Sequence, residues 1–123
     1  MKINFVATNI NPENKKEVYR MTRSDSLKIE GLEKGLSLPV ERYALYMEEK
    51  QRNKQDGTVE TYDQKVLTFT SGDKKFGTIS ATFIDSFMEI VELMEDEPFS
   101  IVITGGQSKN GRNYVNCELD CDF

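Results

Sequence analysis

The sequence contains no histidine. That removes the commonest general base, the commonest metal ligand, and both the Ser–His and Cys–His nucleophile pairs. Carboxylate or lysine chemistry survives the exclusion. No two carboxylates sit in a recognisable acid–base context, however, so a non-catalytic protein with no metal and no cofactor is expected. Cysteine is scarce: only Cys117 and Cys121 are present. On a strand, residues four apart lie roughly 13 Å from each other, beyond the ~7 Å that a disulfide tolerates between Cα atoms. Two reduced thiols are expected. No apolar run approaches the ~18 residues of a membrane span, and the opening MKINFVATNINPEN has too short an apolar stretch for a signal peptide. A cytosolic protein without a membrane partner is the expectation.

Repeats, low-complexity tracts and Pro-rich linkers are also missing. The 123 residues fit one domain, read as residues 1–117 followed by a short acidic tail, 118–123. Net charge is −5, which by itself opposes a polyanionic partner. The charge is uneven. Residues 85–97 hold Asp85, Glu89, Glu92, Glu95, Asp96 and Glu97 with no base, and the tail adds Glu118, Asp120 and Asp122. Without those nine acids the remaining chain carries +4. An anion-attracting surface is therefore compatible with the overall sign, provided the acidic segment faces elsewhere.

Period-2 patterning marks strands at Ile3–Thr8, Leu36–Lys50, Gln64–Thr70, Phe76–Ser80, Phe99–Gly106 and Asn113–Leu119. EVYRMTR and SLKIEGL are mixed and read as extended, and QRNKQDGTVE reads as a polar loop. Between the strands the period changes. Phe83, Ile84, Phe87, Ile90, Val91 and Met94 follow helical spacing, with Ser80 or Thr82 as N-cap and Pro98 preventing continuation. Strands, one helix, then a hairpin is the element order of an OB-fold. The expectation is a mainly β protein, a five-stranded Greek-key barrel with one helix between strands 3 and 4. The alternative architecture is another small β-barrel, or an α+β roll with the helix on a sheet.

Alternation also assigns faces. Tyr43, Leu45 and Met47 form one apolar set, leaving Arg42, Ala44, Tyr46 and Glu48 on the opposite face. In the last strand Val115, Cys117 and Leu119 face one way, and Arg112, Tyr114 and Asn116 the other. Two strands thus place an arginine near a tyrosine on an expected solvent face, a platform on which bases stack. Basic residues gather in loops: Lys50, Arg52 and Lys54, then Lys74 and Lys75, then Lys109 and Arg112, with Phe76 as a third candidate stacker.

Residues 106–113, GQSKNGRN, approach the phosphate-loop spacing G-x-x-x-x-G-K-[ST]. Arginine stands at the lysine position and Asn113 at the hydroxyl position. A strand follows where that motif needs a helix N-terminus. The segment reads instead as a hairpin, with Asn110-Gly111 suited to a type I′ turn, projecting Lys109 and Arg112 with Tyr114 at its base.

LPVERYALYMEEK, FGTISATFIDSF and ITGGQSKNGRNYVNCEL together resemble the small single-stranded DNA-binding proteins of bacterial viruses, over roughly residues 36–119. The resemblance implies an OB-fold and sequence-independent binding that protects displaced strands during viral DNA replication or recombination, in the host cytoplasm. It matches strand aromatics and basic loop residues to Tyr46, Phe76, Lys109, Arg112 and Tyr114. The absence of tryptophan departs from that pattern and leaves stacking to Tyr and Phe. The tail ELDCDF, with Asp120, Asp122 and Phe123, echoes the acidic, aromatic-ended tails by which such binders recruit replication proteins. The expected partner is single-stranded DNA, and a homo-oligomer is compatible with the sequence. The rival expectation is a small viral interaction module, an inhibitor or adaptor acting through the acidic helix and tail.

Overall fold

A computed structural model describes residues 3–107 and 109–121. The element order is β1 (Ile3–Thr8), α1 (Lys15–Thr22), β2 (Leu27–Lys28), a 3-10 turn (Ile29–Gly31), β3 (Ser37–Val40), β4 (Arg42–Asn53), β5 (Val59–Ser71), β6 (Lys74–Thr78), α2 (Ala81–Met94), β7 (Phe99–Gln107) and β8 (Asn113–Leu119). The strands form two sheets: one of five strands ordered β1-β4-β5-β6-β2, and one of three ordered β3-β7-β8. The chain is mainly β, as expected. The two sheets do not close into a barrel. Six strands, not three, precede the long helix, and a second helix stands near the start.

The main core lies between the sheets and α2. Phe69 of β5 is its hub: its ring centroid lies 5.4 Å from Phe76 of β6 and 5.4 Å from Phe87 of α2. Leu45, Leu67, Ile84, Ile101, Ile103 and Cys117 complete it. The apolar stripe of α2 reaches this core as its spacing demanded, with Phe83, Ile84, Phe87 and Ile90 buried. Ser80 caps the helix, its hydroxyl accepting from the Phe83 amide at 3.4 Å. Full burial of an aromatic or aliphatic side chain stabilises by about 1.5–3 kcal/mol, so this one helix face supplies much of the driving force.

A second, smaller core lies on the other face of the five-stranded sheet. There α1 lays Met21 and Val18 over Ala44, Tyr46 and Val66, with Ile10 and Phe5 beside them. Residues 17–23, expected to be extended, are helical up to Thr22. Asn14 starts the helix by accepting from the amides of Lys16 (3.2 Å) and Glu17 (3.3 Å). An eight-residue helix is unstable alone; packing on the sheet decides its conformation. The expected polar loop at QRNKQDGTVE is likewise corrected. β4 continues to Asn53 and β5 begins at Val59, because the pairing β4↔β5 runs unbroken from Arg42↔Thr70 to Asn53↔Val59.

The 106–113 hairpin opens wider than expected. β7 and β8 pair up to Gln107↔Asn113, which leaves more than a two-residue turn between them. Gly111 has φ 77°, but Asn110 has no positive φ, whereas a type I′ turn needs it at both central residues.

Candidate nucleic-acid interface

Among the described residues β1 pairs with β4 as far as Ile3↔Glu48, and β6 pairs with β5 over residues 67–71. Beyond those limits β4 and β5 run on as a two-stranded ribbon. A turn at 54–58 closes it. The Lys54 amide donates to the Thr58 carbonyl at 2.8 Å, Asp56 accepts from the Thr58 amide (3.0 Å) and hydroxyl (2.7 Å), and Gly57 takes φ 87°, a conformation that favours glycine. On one face of the ribbon Tyr46, Glu48, Lys50 and Arg52 stand opposite Val66, Gln64, Tyr62 and Glu60.

This face opens into a trough of about 820 Å³. Tyr46, Val66 and Thr68 lie at its α1 end, and Glu48, Lys50, Tyr62 and Gln64 continue it along the ribbon. The segment after α1, including Arg23, Ser26 and Lys28, makes one wall, and Ile79 also lines it. None of the acids of 85–97 lines the trough. At its lip the Arg52 guanidinium carbon lies 5.2 Å from the Tyr62 ring centroid, and Arg52 Nε is 2.7 Å from Glu60 Oε2. On its wall Arg23 makes a similar contact with Tyr19, at 5.7 Å. Lys50 Nζ lies 2.7 Å from Glu48 Oε1, and that hydrogen bond pushes the lysine pKa above its usual value, so the ammonium stays charged. An exposed ring beside a guanidinium can stack a base, and the N–H groups that Lys50 and Arg52 do not give to Glu48 and Glu60 can meet an anion.

The predicted site residues disperse. Lys50 and Arg52 lie on this ribbon face. Tyr46 is in the trough floor but only 2 % exposed. The alternation was right, but α1 covers the face that was expected to meet solvent. Burial, reinforced by Glu48, pushes its phenol pKa up to about 12. Its ring meets Phe5 edge-on at 6.1 Å. Phe76 is buried against Phe69 and is no stacker. Lys75 is not a loop cation: its ammonium donates to the carbonyls of Arg20 (2.5 Å) and Arg23 (2.9 Å) and pairs with Asp25. Lys74, its neighbour, is exposed beside the β5–β6 turn. Arg42 pairs with Glu17 of α1.

Tyr114, with Lys109 and Arg112, belongs to the three-stranded sheet and shares no trough with Tyr46. Tyr114 is 44 % exposed, yet it is also cross-strand from Gly106. A Cβ on Gly106 would come within 3.1 Å of the Tyr114 hydroxyl, so the ring covers the glycine. In the expected tail, Glu118 and Leu119 belong to β8. Asp120 is held to the sheet: its amide donates to Ser100 O at 2.9 Å, and Ser37 Oγ donates to its carboxylate at 2.5 Å. Asp122 and Phe123 lie outside the described residues.

Tyr62 and Tyr19 are the residues that the sequence reading passed over. The signal for Tyr62 was present: a hairpin closed by the DG turn sets Tyr62 opposite Lys50. Both cysteines are free thiols, with Cys117 buried and Cys121 exposed. Among the described residues, no His, Cys, Asp and Glu side chains group to hold a metal, and no helix is long and apolar enough to cross a membrane. Compared with protein-family models, with curated proteins and with solved structures, the chain finds no match in any of the three.

Proposed function

We propose that this chain binds single-stranded DNA without requiring a fixed sequence, using the β4–β5 ribbon face and the trough behind it. The observation that carries this reading is the Arg52–Tyr62 pair at the lip, 5.2 Å from guanidinium to ring, with Lys50 directly opposite Tyr62. A single strand would lay its phosphates toward Lys50, Arg52 and Lys28 and stack bases on Tyr62. The trough follows the strands from Tyr46 and Thr68 to Lys50 and Tyr62, a course that suits an extended chain. Strand protection during viral DNA replication or recombination is the role that the resemblance to small viral single-strand binders suggests. Titration of tyrosine fluorescence with oligo-dT at two salt concentrations tests it. Binding should weaken with salt by a slope near −0.7 per phosphate neutralised. No change in fluorescence or anisotropy at low salt with oligo-dT and oligo-dC alike would dispose of the proposal.

A second reading, an interaction module, has one observation in its favour. Leu93 is 73 % exposed on α2, in a shallow groove with Glu89 and Glu118. An apolar side chain ringed by acids suits a basic, partly apolar partner segment. Capture of such a partner, lost in Leu93→Asp, with DNA ignored, would favour this reading over the first.

A further inference from the structure

Two neighbouring positions in the trough carry chemistry that backbone binding does not use. Glu48 of β4 stands directly opposite Gln64 of β5, one same-face step from the Lys50–Tyr62 pair. The Glu48 side chain is only 14 % exposed, a degree of shelter that a solvated surface carboxylate does not need. Lys50 holds its Oε1 at 2.7 Å. Arg52 lies on the turn side of Tyr62, since Arg52↔Glu60 is the next same-face pair toward 54–58. A base stacking on Tyr62 therefore has Glu48 and Gln64 on its other side. Diagonal cross-strand neighbours are about 7–8 Å apart at Cα, within reach of long side chains.

From this arrangement we infer that Glu48, with Gln64, reads the Watson–Crick edge of the stacked base and favours bases that present an amino donor beside a ring-nitrogen acceptor, cytosine (N4, N3) and adenine (N6, N1), over thymine. The inference rests on the single-strand reading above. Cytosine N4 donates to Glu48 Oε2, and the Gln64 amide donates to N3. Adenine N6 and N1 present the same donor–acceptor order. Thymine turns its O4 acceptor toward the carboxylate, a repulsive contact, and its N3–H toward Gln64, whose amide would have to turn and give up its hydrogen bond to the Lys65 carbonyl (3.3 Å) to accept it. A carboxylate accepting from cytosine N4 is an established direct-readout pairing. Lys50 neutralises Glu48, so the pair adds no net repulsion toward phosphates.

The test compares oligo-dC and oligo-dT of equal length by anisotropy, with the wild-type chain and with Glu48→Gln. The wild type should bind oligo-dC about fivefold or more tighter than oligo-dT, the lower end of what one good base contact discriminates. Glu48→Gln, whose amide can also donate to O4, should bring the two affinities within about twofold of each other. Equal wild-type affinities overturn the inference while leaving the single-strand reading intact. A dC preference that persists in Glu48→Gln overturns it as well. Failure to bind either oligomer rejects the single-strand reading and takes this inference with it. The wild-type comparison decides the matter even where the variant folds poorly.

Discussion

The ammonium of Lys75 lies 2.5 Å from the carbonyl oxygen of Arg20, across the junction between β6 and the end of α1. The same ammonium reaches Arg23 O at 2.9 Å, so a strand side chain satisfies the last carbonyls of the helix. Helix C-termini leave such carbonyls without intrahelical donors, and a cation there also suits the dipole. The Lys75 side chain is 9 % exposed. Lys75→Ala should therefore destabilise the fold by about 1–3 kcal/mol, the usual loss when buried, charged hydrogen bonds go. Urea unfolding would measure it. An unchanged midpoint would show that α1 is held by Met21 and Val18 alone.

Asp25 is the anionic partner of that ammonium. The Lys75 hydrogen bond holds its carboxyl below the usual 3.8, with smaller help from the charges of Lys75 and Arg23. A carboxyl whose folded-state pKa is depressed binds its proton less readily in the native chain. Its contribution to stability is complete above about pH 4 and fades as pH falls through the folded-state value. Asp25→Asn should thus be less stable than wild type at about pH 7, and the gap should shrink as pH falls below the usual 3.8. A gap that widened on acidification would contradict the ion pair.

Tyr46, expected on a solvent face as a stacking platform, is buried, so its truncation should act on stability. With its ring in the second core, Tyr46→Ala should cost about 3–5 kcal/mol, the range for deleting a buried aromatic side chain. Tyr46→Phe keeps the ring against Phe5 and should stay folded. Thermal denaturation of the two variants distinguishes them, and equal melting temperatures would place the ring in solvent after all.

The contrast between α2 and α1 shows what the sequence could and could not disclose. α2 was legible because six apolar residues at helical spacing face a core, and Ser80 and Pro98 mark its ends. In α1 only Val18 and Met21 point inward, so no stripe stands out; the residual clue was Asn14, a good N-cap, with Glu17 three residues later. The alternation of β4 was read correctly, but it specifies two faces and not what covers them. A single missed helix therefore turned Tyr46 from a buried residue into an apparent platform. Tyr62 was missed for the converse reason. The ribbon is polar on both faces because water surrounds it, and polar alternation resembles a loop.

Cysteine reactivity follows directly from position in β8 and beyond it. Burial, reinforced by the Glu118 charge, pushes the Cys117 thiol up to about 12, so at pH 8 it is protonated and unreactive. Cys121 is exposed. A thiol reagent such as DTNB at about pH 8 should titrate one thiol quickly in the native chain and the second only after denaturation. Two equivalents reacting at the same rate would show that the β7–β8 core opens readily.

Stacking and charge at the ribbon lip can be separated, because Tyr62 and Arg52 contribute through different physics. A base stack is worth about 1–3 kcal/mol and is insensitive to salt, whereas a guanidinium on a phosphate acts through counterion release. Tyr62→Ala should weaken oligo-dT binding by about 5- to 100-fold with an unchanged salt slope. Arg52→Gln should flatten the slope by about 0.7, the increment for one phosphate contact. Tyr114→Ala and Arg112→Gln, on the three-stranded sheet, should do neither. If the pattern inverts, with Tyr114 and Arg112 carrying affinity while Tyr62 and Arg52 do not, the interface lies on the 106–113 hairpin and the trough serves some other end.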